Sequence, residues 1–224
     1  MPVDEQQLRE ELVECGRRLV ARGLVTGTAG NLSVRLDQDR FLITPSGMDY
    51  DRFGPDDLCL VNRETGEVKG ARRPSIETGL HAAVYQGRPD VGAVVHTHSL
   101  YATAVAVAHR DLPCLLDAMA VQFGGPVPVA RYGIPGSPDL AEKAARRLGE
   151  GGAVLLANHG VVAVGMDLGE AMDRAELVER AAQIYLLATS LGKAVPLSSE
   201  NIAWLQTYFR QKYGQRPGEG KGGE

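Results

Sequence analysis

Two short apolar runs, Ala93-Val94-Val95 and Ala153-Val154-Leu155-Leu156-Ala157, have no polar break and close on turn-forming or polar residues, so they read as strands buried on both faces. Strands of that kind need cover on each side, and the rest of the chain supplies it. Leu8, Leu12, Cys15, Leu19 and Val20 recur at helical spacing with charge between them, which predicts an amphipathic helix over 4–22 that stops at Gly23. Short β-like pieces follow over 31–36, 40–44 and 58–61, with Arg63-Glu64-Thr65-Gly66-Glu67 as a hairpin tip. Further helices are expected over 76–86, 100–108, 137–148 and 168–191, the last two opened by the capping residues Ser137 and Asp167. A final helix starts at Ser198 or Ser199 and runs to about Tyr213. This order predicts an α/β fold with a central mixed sheet covered by helices on both faces.

Nothing in the 224 residues divides the chain into halves of different composition, so one domain is expected over 1–215. The stretch 216–224 has no apolar anchor and is expected to be a disordered tail. A formal net charge of -4 gives no general pull on nucleic acid, and no apolar run approaches the length of a bilayer span. The start, Met1-Pro2-Val3-Asp4-Glu5, lacks the basic-then-apolar order of a secretory signal. A cytoplasmic protein with neither nucleic acid nor membrane as partner is expected. Cys15, Cys59 and Cys114 are odd in number and scattered, which points to small core residues instead of a disulfide framework or thiolate site.

His96-Thr97-His98 closes the first apolar run, and alternation along an extended chain turns both imidazoles to one face. A third imidazole follows the second run in Asn158-His159-Gly160. Histidines at strand ends with a coordination position left open suit a catalytic zinc better than a structural one. For His159 taken alone, a hydrogen-bonded core residue is an equal reading. Glu77 opens a helix, where the macrodipole favours its ionised form and a general base is well placed; by position alone, an ordinary helix-start acid is the commoner case. The loops Thr26-Gly27-Thr28-Ala29-Gly30-Asn31 and Thr44-Pro45-Ser46-Gly47 offer backbone N–H groups and short hydroxyls suited to an anion, and match neither Walker nor dinucleotide patterns. His81 is expected to pack or hydrogen-bond, and His109 to lie in a surface loop.

Taken together, Gly30-Asn31-Leu32-Ser33, Thr44-Pro45-Ser46-Gly47, Pro74-Ser75-Ile76-Glu77, Val95-His96-Thr97-His98 and Asn158-His159-Gly160 stand in an order that resembles the class II aldolase/adducin superfamily, its sugar-phosphate aldolases in particular. The resemblance runs from the first helix to Tyr213. It implies a three-layer α/β/α sandwich with a mixed, largely antiparallel sheet, assembled as a homotetramer with active sites at subunit boundaries. It implies that His96, His98 and His159 are zinc ligands, with manganese or cobalt as alternatives, and that Glu77 is an acid/base that also approaches the metal. Gly30, Asn31, Ser46, Gly47 and Ser75 match positions that hold a substrate phosphate. Tyr213 resembles a tyrosine that reaches a neighbouring subunit's site and assists proton transfer. The implied activity is cleavage of a ketose 1-phosphate, L-fuculose 1-phosphate-like or 5-deoxypentulose 1-phosphate-like, to dihydroxyacetone phosphate and an aldehyde, with zinc as Lewis acid.

Two positions depart from that pattern. Ile76 stands where a second phosphate serine is found, and Asp117 where a tyrosine acts at the aldehyde end. Asp117 could be a replacement acid, a contact to a hydroxyl of a different substrate, or a loop cap. Glu77, where sugar-phosphate epimerases carry Asp, argues against an epimerase. A methylthioribulose-1-phosphate dehydratase, a decarboxylase of a 3-oxo-4-phospho acid and a non-catalytic adducin-like interaction module are the rival readings.

Overall fold

The computed structural model describes residues 4–212, so the expectations for Tyr213 and for 216–224 lie outside the described residues. The chain runs α1 (Glu5–Ala21), β1 (Asn31–Arg35), β2 (Arg40–Ile43), β3 (Cys59–Asn62), β4 (Val68–Lys69), α2 (Thr78–Gly87), β5 (Ala93–Thr97), α3 (Leu100–Val107), α4 (Asp117–Phe123), β6 (Val129–Ala130), α5 (Pro138–Leu148), β7 (Ala153–Leu156), β8 (Gly160–Gly165), α6 (Leu168–Ser190) and α7 (Ser199–Lys212). The strands form one sheet in the order β4-β3-β2-β1-β5-β8-β7-β6. All pairings are antiparallel except β6 with β7.

Period-two alternation sorts the strand residues into two cores. Ala93 and Val95 of β5, with Val161 and Ala163 of β8, pack beneath α1, α3, α4 and α6. Val94, Val162 and Val164 point the other way, beneath α2 and α5. Helices therefore cover both faces, and the architecture is a three-layer α/β/α sandwich around a mixed, largely antiparallel sheet. Capping is as the sequence dictates: the Ser137 side chain accepts from the Leu140 amide and that of Asp167 from Glu170. No helix among the described residues is long and apolar enough to cross a membrane.

Antiparallel pairing sets the position of the site. Because β1 pairs with both β2 and β5, its first residue lies beside their last ones; Asn31 is opposite His96. The start of β8 lies beside the same end of β5, with Val161 opposite Thr97. Backbone hydrogen bonds from Ser46 to Arg73 (2.9 Å) and from Ser75 to Thr44 (3.1 Å) tie the lead-in of α2 to this sheet end. Gly30 and Gly160 permit the close approach. A Cβ on Gly30, which also has φ +76°, would sit 2.6 Å from the His96 carbonyl oxygen, and one on Gly160 would strike the Thr97 carbonyl.

Candidate metal centre

His96 keeps the parity of Val94 and turns toward α2, fully buried. Its Nδ1 lies 2.9 Å from the Val161 carbonyl oxygen, which can only accept, so the ring proton belongs on Nδ1 and the Nε2 lone pair faces the interior of the site. His98 emerges just past the strand, with its Nε2 3.0 Å from that of His96. His159 is presented by the β7–β8 turn, where its amide bonds to the Leu156 carbonyl at 3.0 Å and the preceding Asn158 adopts φ 56°. The three ring centroids are 4.8, 4.8 and 4.9 Å apart with interplanar angles of 68°, 73° and 75°, so the rings meet edgewise like the blades of a pinwheel.

Glu77 supplies the fourth donor. The sequence places it inside a helix, but α2 begins one residue later. The Thr78 amide and hydroxyl both bond the Ser75 carbonyl, at 3.1 and 2.6 Å, closing a turn that makes Glu77 the N-cap residue. Its side chain makes no cap bond and points inward. Oε2 is 3.1 Å from His96 Nε2 and Oε1 is 3.6 Å from His159 Nε2. One ligand atom from each of Glu77, His96, His98 and His159 falls within 4.8 Å of the others.

These residues fit a divalent ion. Glu77 Oε1 is buried without a hydrogen-bond partner, an expensive condition for a carboxylate unless a cation satisfies it. Three imidazoles and one carboxylate are donors of the type that zinc and its first-row neighbours accept. Burial pushes the pKa values of His98 and His159 down to about 4, helped in both cases by the proximity of His96. Both rings are therefore neutral near pH 7, with lone pairs free for a metal. For Glu77, burial acts to raise the pKa but is outweighed by the neighbouring His96, by the amide of Asn31 and by His159, so the carboxyl stays ionised well below the usual range.

The residues expected at a phosphate stand as follows. Gly30, Ser46, Gly47 and Ser75 lie at the same sheet end, and the Glu77 amide donates to Ser75 Oγ at 3.2 Å. Asn31 has a second post. Its Nδ2 donates to Glu77 Oε2 at 3.0 Å and its Oδ1 accepts from His81 Nε2 at 2.6 Å, which leaves one of the two amide N–H groups for an anion. Ile76 is 69 % exposed beside the site, its carbonyl oxygen 3.0 Å from where a Cβ on Gly136 would stand. Asp117 is not brought to the four donors. It is the exposed first residue of α4, on the other helical layer, where its charge raises the pKa of Cys114 alongside burial. His109 lies on the surface as expected, yet its Nε2 reaches Asn158 Oδ1 at 2.5 Å, beside His159.

Sequence inspection passed over Ser33 and Tyr85, which join His81 in the buried layer behind Glu77. A signal was available. Asn31 and Ser33 share one face of a buried strand, and His81 and Tyr85 follow Glu77 by four and eight residues along one side of α2.

Comparison with known proteins agrees with this geometry. The family profile described as class II aldolase and adducin N-terminal domain matches residues 10–186. The 5-deoxy-D-ribulose 1-phosphate aldolase of Bacillus thuringiensis serovar kurstaki is 36% identical over 213 residues, covering 94% of this chain and 99% of that one. The 3-oxo-tetronate 4-phosphate decarboxylase of Haemophilus influenzae is 39% identical over 181 residues, covering 79% and 86%. A solved L-fuculose 1-phosphate aldolase superposes with a TM-score of 0.87 at 37% identity, covering 91% of this chain and 96% of that one. With a matching profile across most of its length and these relatives, the chain belongs to the class II aldolase and adducin N-terminal domain family.

Proposed function

We propose that this member of the class II aldolases is a zinc-dependent carbon–carbon lyase that cleaves a ketose 1-phosphate reversibly to dihydroxyacetone phosphate and an aldehyde. The carrying observation is the convergence of His96, His98, His159 and Glu77 with one carboxylate oxygen left unpartnered. Relatives named for 5-deoxyribulose 1-phosphate and L-fuculose 1-phosphate support the substrate class.

His96, His98, His159 and Glu77 would hold the ion. Bound there, it supplies Lewis acidity that stabilises negative charge developing on the carbonyl and neighbouring hydroxyl oxygens of the substrate. Gly30, Asn31, Ser46, Gly47 and Ser75 seat the phosphate through backbone N–H groups, hydroxyls and the second amide N–H of Asn31, whose first also holds Glu77. In the cleavage direction the C4 hydroxyl loses a proton, the C3–C4 bond breaks, and its electron pair remains with the C3 fragment as the aldehyde leaves. Glu77 then takes up a proton from solvent and passes it to C3, giving dihydroxyacetone phosphate and restoring the carboxylate, and in the reverse direction the carboxylate removes that proton and releases it to solvent. The proton from the C4 hydroxyl is assigned to Tyr213 or Asp117 of a neighbouring subunit, which requires the homotetramer.

Wild type and Glu77→Gln are to be assayed for dihydroxyacetone phosphate with 5-deoxyribulose, L-fuculose and methylthioribulose 1-phosphates. Release from at least one of them is expected, falling on the order of 10²–10⁴-fold in the variant. Equal turnover by both proteins removes Glu77 from the chemistry. Identity to the decarboxylase favours a second reading, in which carbon dioxide is released from 3-oxo-tetronate 4-phosphate and no ketose 1-phosphate is cleaved.

A further inference from the structure

Behind Glu77 lies an unbroken series of short hydrogen bonds in which every partner is buried. Asn31 Nδ2 is 3.0 Å from Glu77 Oε2, Asn31 Oδ1 is 2.6 Å from His81 Nε2, His81 Nδ1 is 2.6 Å from Ser33 Oγ, and Ser33 Oγ is 2.7 Å from the Tyr85 hydroxyl. The five residues are 5% exposed or less. The direction of each bond can be deduced. A carboxylate can only accept, so Asn31 must turn its NH2 toward Glu77 and its carbonyl toward His81. That carbonyl also only accepts, so His81 carries its proton on Nε2, and Nδ1 must accept from Ser33. The single hydroxyl proton of Ser33 is thereby used, and Tyr85 must donate to Ser33. The series runs one way, from Tyr85 through Ser33, His81 and Asn31 to Glu77.

We propose that Ser33, His81 and Tyr85 are positioning residues: their one-way chain locks the Asn31 amide with its NH2 on Glu77 Oε2, and so holds the carboxylate in one orientation with Oε1 turned to His159. Without that lock the Asn31 amide can rotate its carbonyl toward Glu77, where two acceptors meet and the carboxylate is driven off its seat. The geometry gives a specific reason for the chain to matter. Glu77 makes no helix-cap bond and His96 Nε2 presents a lone pair, so the amide of Asn31 is the donor that holds its Oε2. The structural arm of the proposal stands on its own; only the kinetic arm rests on the aldolase reading.

The test has three readouts. In protein labelled with nitrogen-15 at histidine, a long-range proton–nitrogen correlation at pH 7, with His81 assigned by the loss of its signals in His81→Gln, should show the Nε2–H tautomer. An Nδ1–H tautomer overturns the proposal, whatever the enzyme catalyses. Zinc affinity, read by competition with a chelator, should weaken ~10-fold or more in Ser33→Ala and His81→Leu and recover in His81→Gln, whose amide can donate to Asn31 and accept from Ser33. With dihydroxyacetone phosphate alone in heavy water, the maximal rate of C3 hydrogen exchange should fall ~10–100-fold in Ser33→Ala while the half-saturating concentration stays near that of wild type. Folded Ser33→Ala protein with wild-type zinc affinity overturns the proposal. Absence of exchange in wild type itself sinks the aldolase reading and leaves the tautomer and affinity results to decide this one. Should His81→Leu fail to fold, Tyr85→Phe replaces it with the same expectation.

Discussion

The Val161 carbonyl accepts a hydrogen bond from Nδ1–H of His96, and this one bond decides that a lone pair, and not an N–H, faces the other donors. Around it, small differences in placement separate residues that look alike in sequence. Glu77 and Asp117 each begin a helix, yet the side chain of Glu77 turns in among the imidazoles while that of Asp117 stays exposed on the other layer. Gly30 is a residue whose replacement should disturb the cluster without removing a donor. With φ +76° and 2.6 Å between a built Cβ and the His96 carbonyl oxygen, Gly30→Ala should cost about 1–3 kcal/mol in urea unfolding and weaken metal binding through displacement of His96. Unchanged stability and affinity would show that the β1–β5 contact yields without moving His96.

The elements differ in how plainly the sequence announced them. β5 and β7 were legible because short, β-branched apolar runs closed by turn-forming or polar residues favour buried strands over helices, and the parity that sorts Val94 from Val95 also sets His96 and His98 on one side. α5 and α6 were legible from Ser137 and Asp167, whose side chains cap them as expected. β4 and β6, two residues each, are too short to leave a periodic trace and exist because a neighbouring strand offers them partners. α4 escaped notice for a related reason: its seven residues hold only Met119 and Ala120 in the core. The commitment of Asn31 was hidden because it depends on Glu77 and His81, which come from another element altogether. At this scale the α6 cap gives a clean prediction. Asp167→Ala should lower unfolding stability by about 1 kcal/mol with metal affinity unchanged, since the cap lies at the far end of β8 from His159. A loss of metal would mean that α6 and the site are coupled.

For the whole molecule, sheet order converts distant chain positions into one site, and the resulting burial has a cost that pH exposes. His81 is pushed down to about 3 by burial first, and His98 and His159 to about 4, from an ordinary 6.5. The unfolded chain therefore takes up protons before the folded one, and stability present above pH 6.5 is lost as pH falls toward 4. Glu77, held below its ordinary 4.5, acts in the same direction below that value. The melting temperature of chelator-treated protein should thus decline steadily from pH 6.5 to 4; a flat profile across that range would contradict the buried neutral imidazoles. Restoring zinc at 100 times its dissociation constant should add about 2.7 kcal/mol at neutral pH. The most direct measurement is anomalous diffraction at the zinc edge from crystals grown with the metal. One peak per chain is predicted, about 2.0–2.2 Å from nitrogens of His96, His98 and His159 and from an oxygen of Glu77. Crystals with no peak there, or with zinc bound only elsewhere, would contradict the account.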